Sequence, residues 1–234
     1  MKRTEMITRI ILFGYLAVGL AFLISCGDDD DDDNNDQTNC LEVGNDIVTE
    51  TIEVSEFNGI SFAAVGNLFI TQGEPQEMTV TTHPELVDLI DAAVIDNTLE
   101  IGLDGCIEGN LAQFDVFVTT PDLELITLAG VANIMTENDL QVDSLSIILS
   151  GVGNITLSGS TGPLNIQSLG VGNINAFNFT SDICRIMLSG AGNVEITVLS
   201  ELDATISGSG NVSYKGSPAV NAAILGGGNV IDAN

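Results

Sequence analysis

Tryptophan is absent from the 234 residues, tyrosine occurs twice, and Lys and Arg together number five against 33 acidic residues. The formal net charge is −28. Three of the five bases, Lys2, Arg3 and Arg9, stand at the extreme N-terminus, so Arg185 and Lys215 are the only basic residues beyond it. Nucleic-acid binding draws its affinity from basic groups that displace counterions from phosphate. That supply is missing, so no nucleic-acid partner is expected, and anionic lipid surfaces and polyuronates are disfavoured for the same reason. A single histidine, His83, cannot make a metal site alone; a buried or capping role is the expectation. No cofactor is expected. The one long apolar run, Ile10 to Ile24, is shorter than the roughly 20 residues needed to span a bilayer.

That run has the features of a secretory signal: a basic start, an apolar centre and a small residue before the cut. It ends in Leu23-Ile24-Ser25-Cys26, which resembles the bacterial lipobox. The resemblance implies that residues 1–25 are removed and that Cys26 becomes the lipid-modified first residue. Gly27 follows, then the aspartates Asp28–Asp33 and a polar stretch to Asn39. Like charges at this density repel and cannot bury apolar surface, so residues 26–46 are expected to form a disordered acidic tether. An acidic run just after the cysteine resembles the lipoprotein export signal of Bacteroidetes. The expected location is the outer membrane, lipid-anchored and facing outward.

Residues 47–234 are enough for one sizeable domain. An exported setting permits disulfides; Cys40 and Cys106 are candidates to pair, whereas Cys184 lies in an apolar strand pattern that suits a core residue. The sequence alone leaves the pairing open.

A repeated motif, small-x-small-Asn-aliphatic, dominates residues 121–234. Its asparagines are Asn133, Asn154, Asn173, Asn193, Asn211 and Asn229, spaced 18 to 21 residues apart. A relative, Ala64-Val65-Gly66-Asn67-Leu68, stands upstream. A fixed period near 20 signals a solenoid. Within a repeat, apolar residues alternate, as in Leu145, Ile147 and Leu149 before Asn154 and Ile155 and Leu157 after it, and period two is strand chemistry. The fold class is therefore all-β: a right-handed parallel β-helix, handedness following the usual crossover sense. The motif glycines allow a sharp corner or close coil-to-coil approach. The asparagines tolerate the left-handed region and can bond from coil to coil as a ladder. A phosphate loop would need a third glycine and a following helix, and a calcium β-roll would carry Asp where these repeats carry Asn.

Residues 47–120 are less regular. Strands are expected over Ile52–Phe62, Asn67–Thr71, Met78–Thr82, Leu99–Leu103 and Phe114–Thr119, with a short amphipathic helix starting at Pro84 and using Leu86, Leu89, Ile90 and Ala93. The whole is expected to cap the solenoid. Here Phe57-Asn58-Gly59-Ile60, Leu68-Phe69-Ile70-Thr71-Gln72-Gly73, Leu99-Glu100-Ile101 and Val116 to Leu123, leading into the repeats, resemble the head GIN domain of auto-transporter adhesins. The resemblance runs from about Val48 to Val230 and implies a β-helix without established catalytic residues.

The functional expectation is a non-catalytic, adhesin-like binding or scaffold module. Its partners would be the membrane, through the N-terminal lipid, and a glycan or protein ligand of unknown identity. Self-association through an open solenoid edge near Val230–Asn234 is a further expectation. Two alternatives stand beside it. A polysaccharide-active enzyme would use Arg185, Lys215 and His83, or carboxylates such as Asp143, Asp182 and Asp203. A calcium-stabilised surface protein would use the acidic charge, although a flexible Asp run lacks the fixed geometry of a calcium cage.

Overall fold

The computed structural model describes residues 40–105, 107–108 and 113–234. Cys26, the expected signal and tether up to residue 39, and Cys106 lie outside the described residues.

The N-terminal part holds β1 (Leu41–Glu42), β2 (Val48–Ile52), β3 (Gly59–Phe62), β4 (Val65–Gln72), β5 (Glu77–Thr82), β6 (Ile90–Ile95), β7 (Thr98–Leu103), β8 (Ile107–Glu108) and β9 (Phe114–Thr120). The repeats supply β10 (Leu125–Leu128), β11 (Val131–Thr136), β12 (Leu140–Val142), β13 (Leu145–Leu149), β14 (Val152–Ser168), β15 (Ile174–Leu188), β16 (Val194–Ile206), β17 (Val212–Lys215), β18 (Ala219–Ile224) and β19 (Val230–Asp232). Among the described residues no helix is long and apolar enough to cross a membrane.

Parallel pairing stacks these strands into coils. One face runs β7, β3, β10, β13, then the second halves of β14, β15 and β16, and finally β18. A second face runs β9, β4, β11, the first halves of β14, β15 and β16, then β17 and β19. A short third face pairs β12 with Gly159–Thr161 of β14. The result is a parallel β-solenoid, as the period of the repeat implies.

Alternation then builds the core. Ile60, Ile126, Ile147, Ile166, Ile186 and Ala204 form one inward column, and Leu68, Ile134, Ile155, Ile174, Val194 and Val212 form its counterpart on the second face. All are buried, and each large aliphatic side chain stabilises the stack by about 1.5–3 kcal/mol. Cys184 is free and buried in the same core, as its apolar setting suggests. Burial pushes its thiol up to about 12.

The N-terminal part departs from the expectation in two ways. First, chain order and stacking order differ. The strand β9 inserts beside β4, and β5 then pairs with β9 in antiparallel, with β2 antiparallel on β5. The solenoid is thus sealed at this end by β5 and β6, which run against the coil strands, and by β2, which runs with them. Second, the expected helix is only a 3₁₀ segment, Pro84–Leu89, and Ile90–Ile95 is strand β6. Asp96 and Asn97, both at positive φ (48° and 63°), turn β6 back on β7 as a two-residue hairpin. The hairpin lays Ala92 and Val94 beside Ile101 and Leu99, which a helix could not do. The expected continuous strand Ile52–Phe62 is likewise broken between β2 and β3.

Candidate binding surface

The ladder of asparagines is continuous and longer than the repeat alone suggests. The Nδ2 of each asparagine donates to the Oδ1 one coil below: Asn229 to Asn211, Asn211 to Asn193, Asn193 to Asn173, Asn173 to Asn154 and Asn154 to Asn133, at 3.0–3.3 Å. Asn133 then donates to Asn67 at 3.3 Å, across 66 residues of sequence. The outlying motif at 64–68 is therefore the next rung down. Asn67 donates to Oδ1 of Asp115 at 2.8 Å, and Gln113 donates to the other carboxylate oxygen. A carboxylate accepts and does not donate, so Asp115 sets the direction of every amide above it. Aligned amides of this kind polarise one another.

In the upper coils the same Oδ1 atoms also accept the backbone N–H of Asn173, Asn193, Asn211 and Asn229. The asparagines satisfy corner backbone groups that a turn would otherwise leave open. They do not occupy the left-handed region; at Asn67, Asn154, Asn173 and Asn193 the preceding glycine does, with φ of 144° at Gly153 and 150° at Gly66, Gly172 and Gly192. A Cβ on Gly172 would collide with the backbone of Gly153 one coil below.

Outward positions form parallel columns, one side chain per coil at about 4.8 Å. On the first face Asn165, Arg185, Asp203 and Asn221 stack in register. Arg185 and Asp203 lie 3.9 Å apart, and Asn221 donates to Asp203 at 3.1 Å. With Gln167, Met187 and Thr205 beside them, three of these line an open groove of about 290 Å³. On the second face Phe69 and Phe117 stack with centroids 4.8 Å apart and an interplanar angle of 12°. At the corner, Val65, Val131, Val152 and Val171 make a ridge, each about half exposed. The pairing of Phe69 with Phe117 and the role of Asp115 were not legible in the motif, because β9 carries no copy of it.

Charge is segregated along the axis. Residues 40–143 contain 20 acids and no Lys or Arg, whereas residues 144–234 contain five acids, Arg185 and Lys215. The sealed end is acidic and the later coils are close to neutral.

Of the residues considered for catalysis only Arg185 and Asp203 are brought together, as the ion pair described above. His83 is buried beside the 3₁₀ segment, its Nδ1 3.1 Å from the carbonyl oxygen of Asp46. Lys215 sits over the Phe177 ring at 4.4 Å, on the other face from Arg185. Asp143 and Asp182 are two coils apart with Gly162 between them, and Asp203 lies in a different column, inside β16 rather than before it. Asp203 falls outside the column of Asp143 and Asp182 because the register shifts between β15 and β16. Cys40 is disulfide-bonded, and Leu41 and Ile107, which follow Cys40 and Cys106, pair in parallel.

The family model described as putative auto-transporter adhesin, head GIN domain, matches residues 56–218. The chain belongs to this family. A solved structure described as a putative adhesin of Bacteroides fragilis is 28% identical with a TM-score of 0.70, covering 81% of this chain and 98% of that one. A protein of Parabacteroides distasonis described as a putative lipid binding protein is 20% identical with a TM-score of 0.52, covering 82% and 99%. A Parabacteroides merdae adhesin, also described as putative, is 21% identical with a TM-score of 0.50, covering 83% and 99%. The last two share the fold. No curated protein matches the chain. The head GIN match begins just before β3 and ends before β18, so it spans the coils that carry the groove and leaves out β1 and β2.

Proposed function

We infer that this head GIN domain is a non-catalytic adhesive module held at the outer membrane by a lipid on Cys26 and displayed outward. The carrying observation is the ladder of outward columns, in which neutral amides repeat coil by coil while His83, Lys215 and the Arg185–Asp203 pair do not converge on one centre. Such a surface offers many weak, evenly spaced contacts to an extended glycan or protein rather than one converging reaction centre. Membership of an adhesin family supports the same reading. The lipobox-like sequence before Cys26 and the acidic run after it support the anchor and the route. Mass spectrometry of the N-terminal peptide tests the anchor: a diacylglyceryl-modified Cys26 at the mature N-terminus is expected, and an unprocessed Met1 start would contradict it. A glycan and protein array probed with the domain tests the binding claim, with saturable, unaltered ligand as the expected result.

A further inference from the structure

The outward polar side chains of the two faces differ in what they bond. On the second face many of them bond to each other, as in the amide ladder, the Thr71–Glu137 bond and the Asn175–Thr156 bond. The walls of the groove on the first face are different. Asn165, Gln167, Arg185, Met187 and Thr205 are exposed there. Among the described residues, the side chains of Asn165, Gln167 and Thr205 form no hydrogen bond. Arg185 meets only Asp203, through Nε at 3.9 Å, so both terminal nitrogens of its guanidinium carry donors without an acceptor. Asp203 accepts from Asn221 at one carboxylate oxygen and turns the other toward Arg185. Two parallel columns hold these groups: Asn165, Arg185 and Asp203 on one wall, Gln167, Met187 and Thr205 on the other. With Asn221, the first wall runs over four coils, about 14 Å along the axis.

We propose that this groove binds a neutral oligosaccharide strand lying along the solenoid axis. The proposal rests on the adhesive reading above and narrows its ligand. Donor and acceptor chemistry selects the occupant. Arg185 only donates, Asp203 only accepts, and Asn165, Gln167 and Thr205 do both. A sugar hydroxyl also does both, so every one of these positions has a match in a polyol. An anionic glycan would suit Arg185 and be opposed by Asp203, and the reverse holds for a cationic peptide. The pair carries no net charge and the coils around it are close to neutral, which suits a ligand without charge. A protein partner is anchored by aromatic or apolar side chains seated in desolvated pockets. The groove is open, and Met187 is the exposed apolar side chain on its walls. It offers a small apolar patch for the C–H face of one sugar ring, not a socket. Because the columns run along the axis, a strand laid between them meets several coils at once.

The test uses the whole protein purified in detergent. Its probes are immobilised maltohexaose, cellohexaose and mannohexaose, with an oligogalacturonate, an acidic peptide and a basic peptide beside them. Saturable binding of at least one neutral hexasaccharide is expected. Arg185→Ala, at a side chain 58% exposed, is expected to keep the strand content and to weaken that binding, at least about tenfold. Asp203→Asn keeps the shape and an acceptor for Asn221. It is expected to weaken binding at least about fivefold, because a charge-assisted bond to a hydroxyl becomes a neutral one. The sign of that change separates the ligand classes, since an anionic ligand would be held more tightly by Asp203→Asn. Ser213→Ala, on the second face, should leave binding unchanged. Binding of the oligogalacturonate or a peptide alone, tighter binding by Asp203→Asn, neutral-glycan binding indifferent to both groove variants, or no binding at all would overturn the proposal. Cells that adhere equally with the wild type, Arg185→Ala and Asp203→Asn, but not without the protein, would leave the adhesive reading standing while the groove fell.

Discussion

Replacing Asn173 with alanine removes the middle of the amide ladder and tests it quantitatively. Three hydrogen bonds go: the one Asn173 Nδ2 donates to Asn154 at 3.1 Å, and the two its Oδ1 accepts from the backbone and side chain of Asn193 at 3.1 and 3.3 Å. The bond from the Asn173 backbone to Asn154 remains. At about 1 kcal/mol net per bond, and with water able to reach the half-buried corner, the loss is about 2–3 kcal/mol. At Asn229 the same substitution removes only the bond donated to Asn211, a loss of about 1 kcal/mol or less. With no tryptophan to report, urea unfolding is followed by far-ultraviolet circular dichroism. The midpoint of Asn173→Ala should fall by about 1 M and that of Asn229→Ala by about a third as much. Asn173→Asp should also destabilise, because a carboxylate cannot donate to Asn154 and its place is the foot of the ladder, where Asp115 stands. Equal losses at Asn173 and Asn229 would refute the ladder as a stabilising element.

Gly172→Ala places a Cβ against the Gly153 backbone at a φ of 150°, and should cost at least about 3 kcal/mol in urea unfolding, whereas Gly73→Ala, which meets only a Thr119 methyl at 3.5 Å, should be near neutral. The buried Cys184 thiol, held protonated to about pH 12, adds stability that is complete below the unfolded value of 9.0 and declines as pH rises from there toward 12. Unfolding midpoints at pH 8 and 10.5 should therefore diverge more for the wild type than for Cys184→Ala; equal divergence would remove the assignment. Peptide mapping without reduction should recover Cys40 linked to Cys106, and a Cys40 peptide linked elsewhere would contradict that pairing. Ile147→Ala, in a fully buried column, should cost about 2–5 kcal/mol in the same unfolding assay.

The repeat made the solenoid legible because one Asn per coil fixes the register, and period-two alternation tells which side chains enter the core. The same logic failed where the motif stops. Nothing in Phe114–Thr120 announces that β9 will lie between β4 and β5, since strand order is decided by packing against chain far away in sequence. Leu86, Leu89, Ile90 and Ala93 fit a helical spacing, but Asp96 and Asn97 could take the positive φ that closes a hairpin, and strand pairing with β7 prevailed. At the candidate surface, the ladder asparagines were visible and the reason for them was half right: they bond from coil to coil, while the glycines carry the unusual backbone. Asp115, which directs the ladder, and Phe117, which extends the outward column of Phe69, lie outside the repeat and could be found only from the fold.

Attachment and aggregation of cells from which the gene has been deleted, complemented with the wild-type chain or with Cys26→Ser, test a lipid-anchored adhesive solenoid most directly. Wild-type complementation should restore both, and Cys26→Ser should restore neither, although the domain folds. Equal adhesion in the deletion strain and both complemented strains would contradict a lipid-anchored adhesive solenoid.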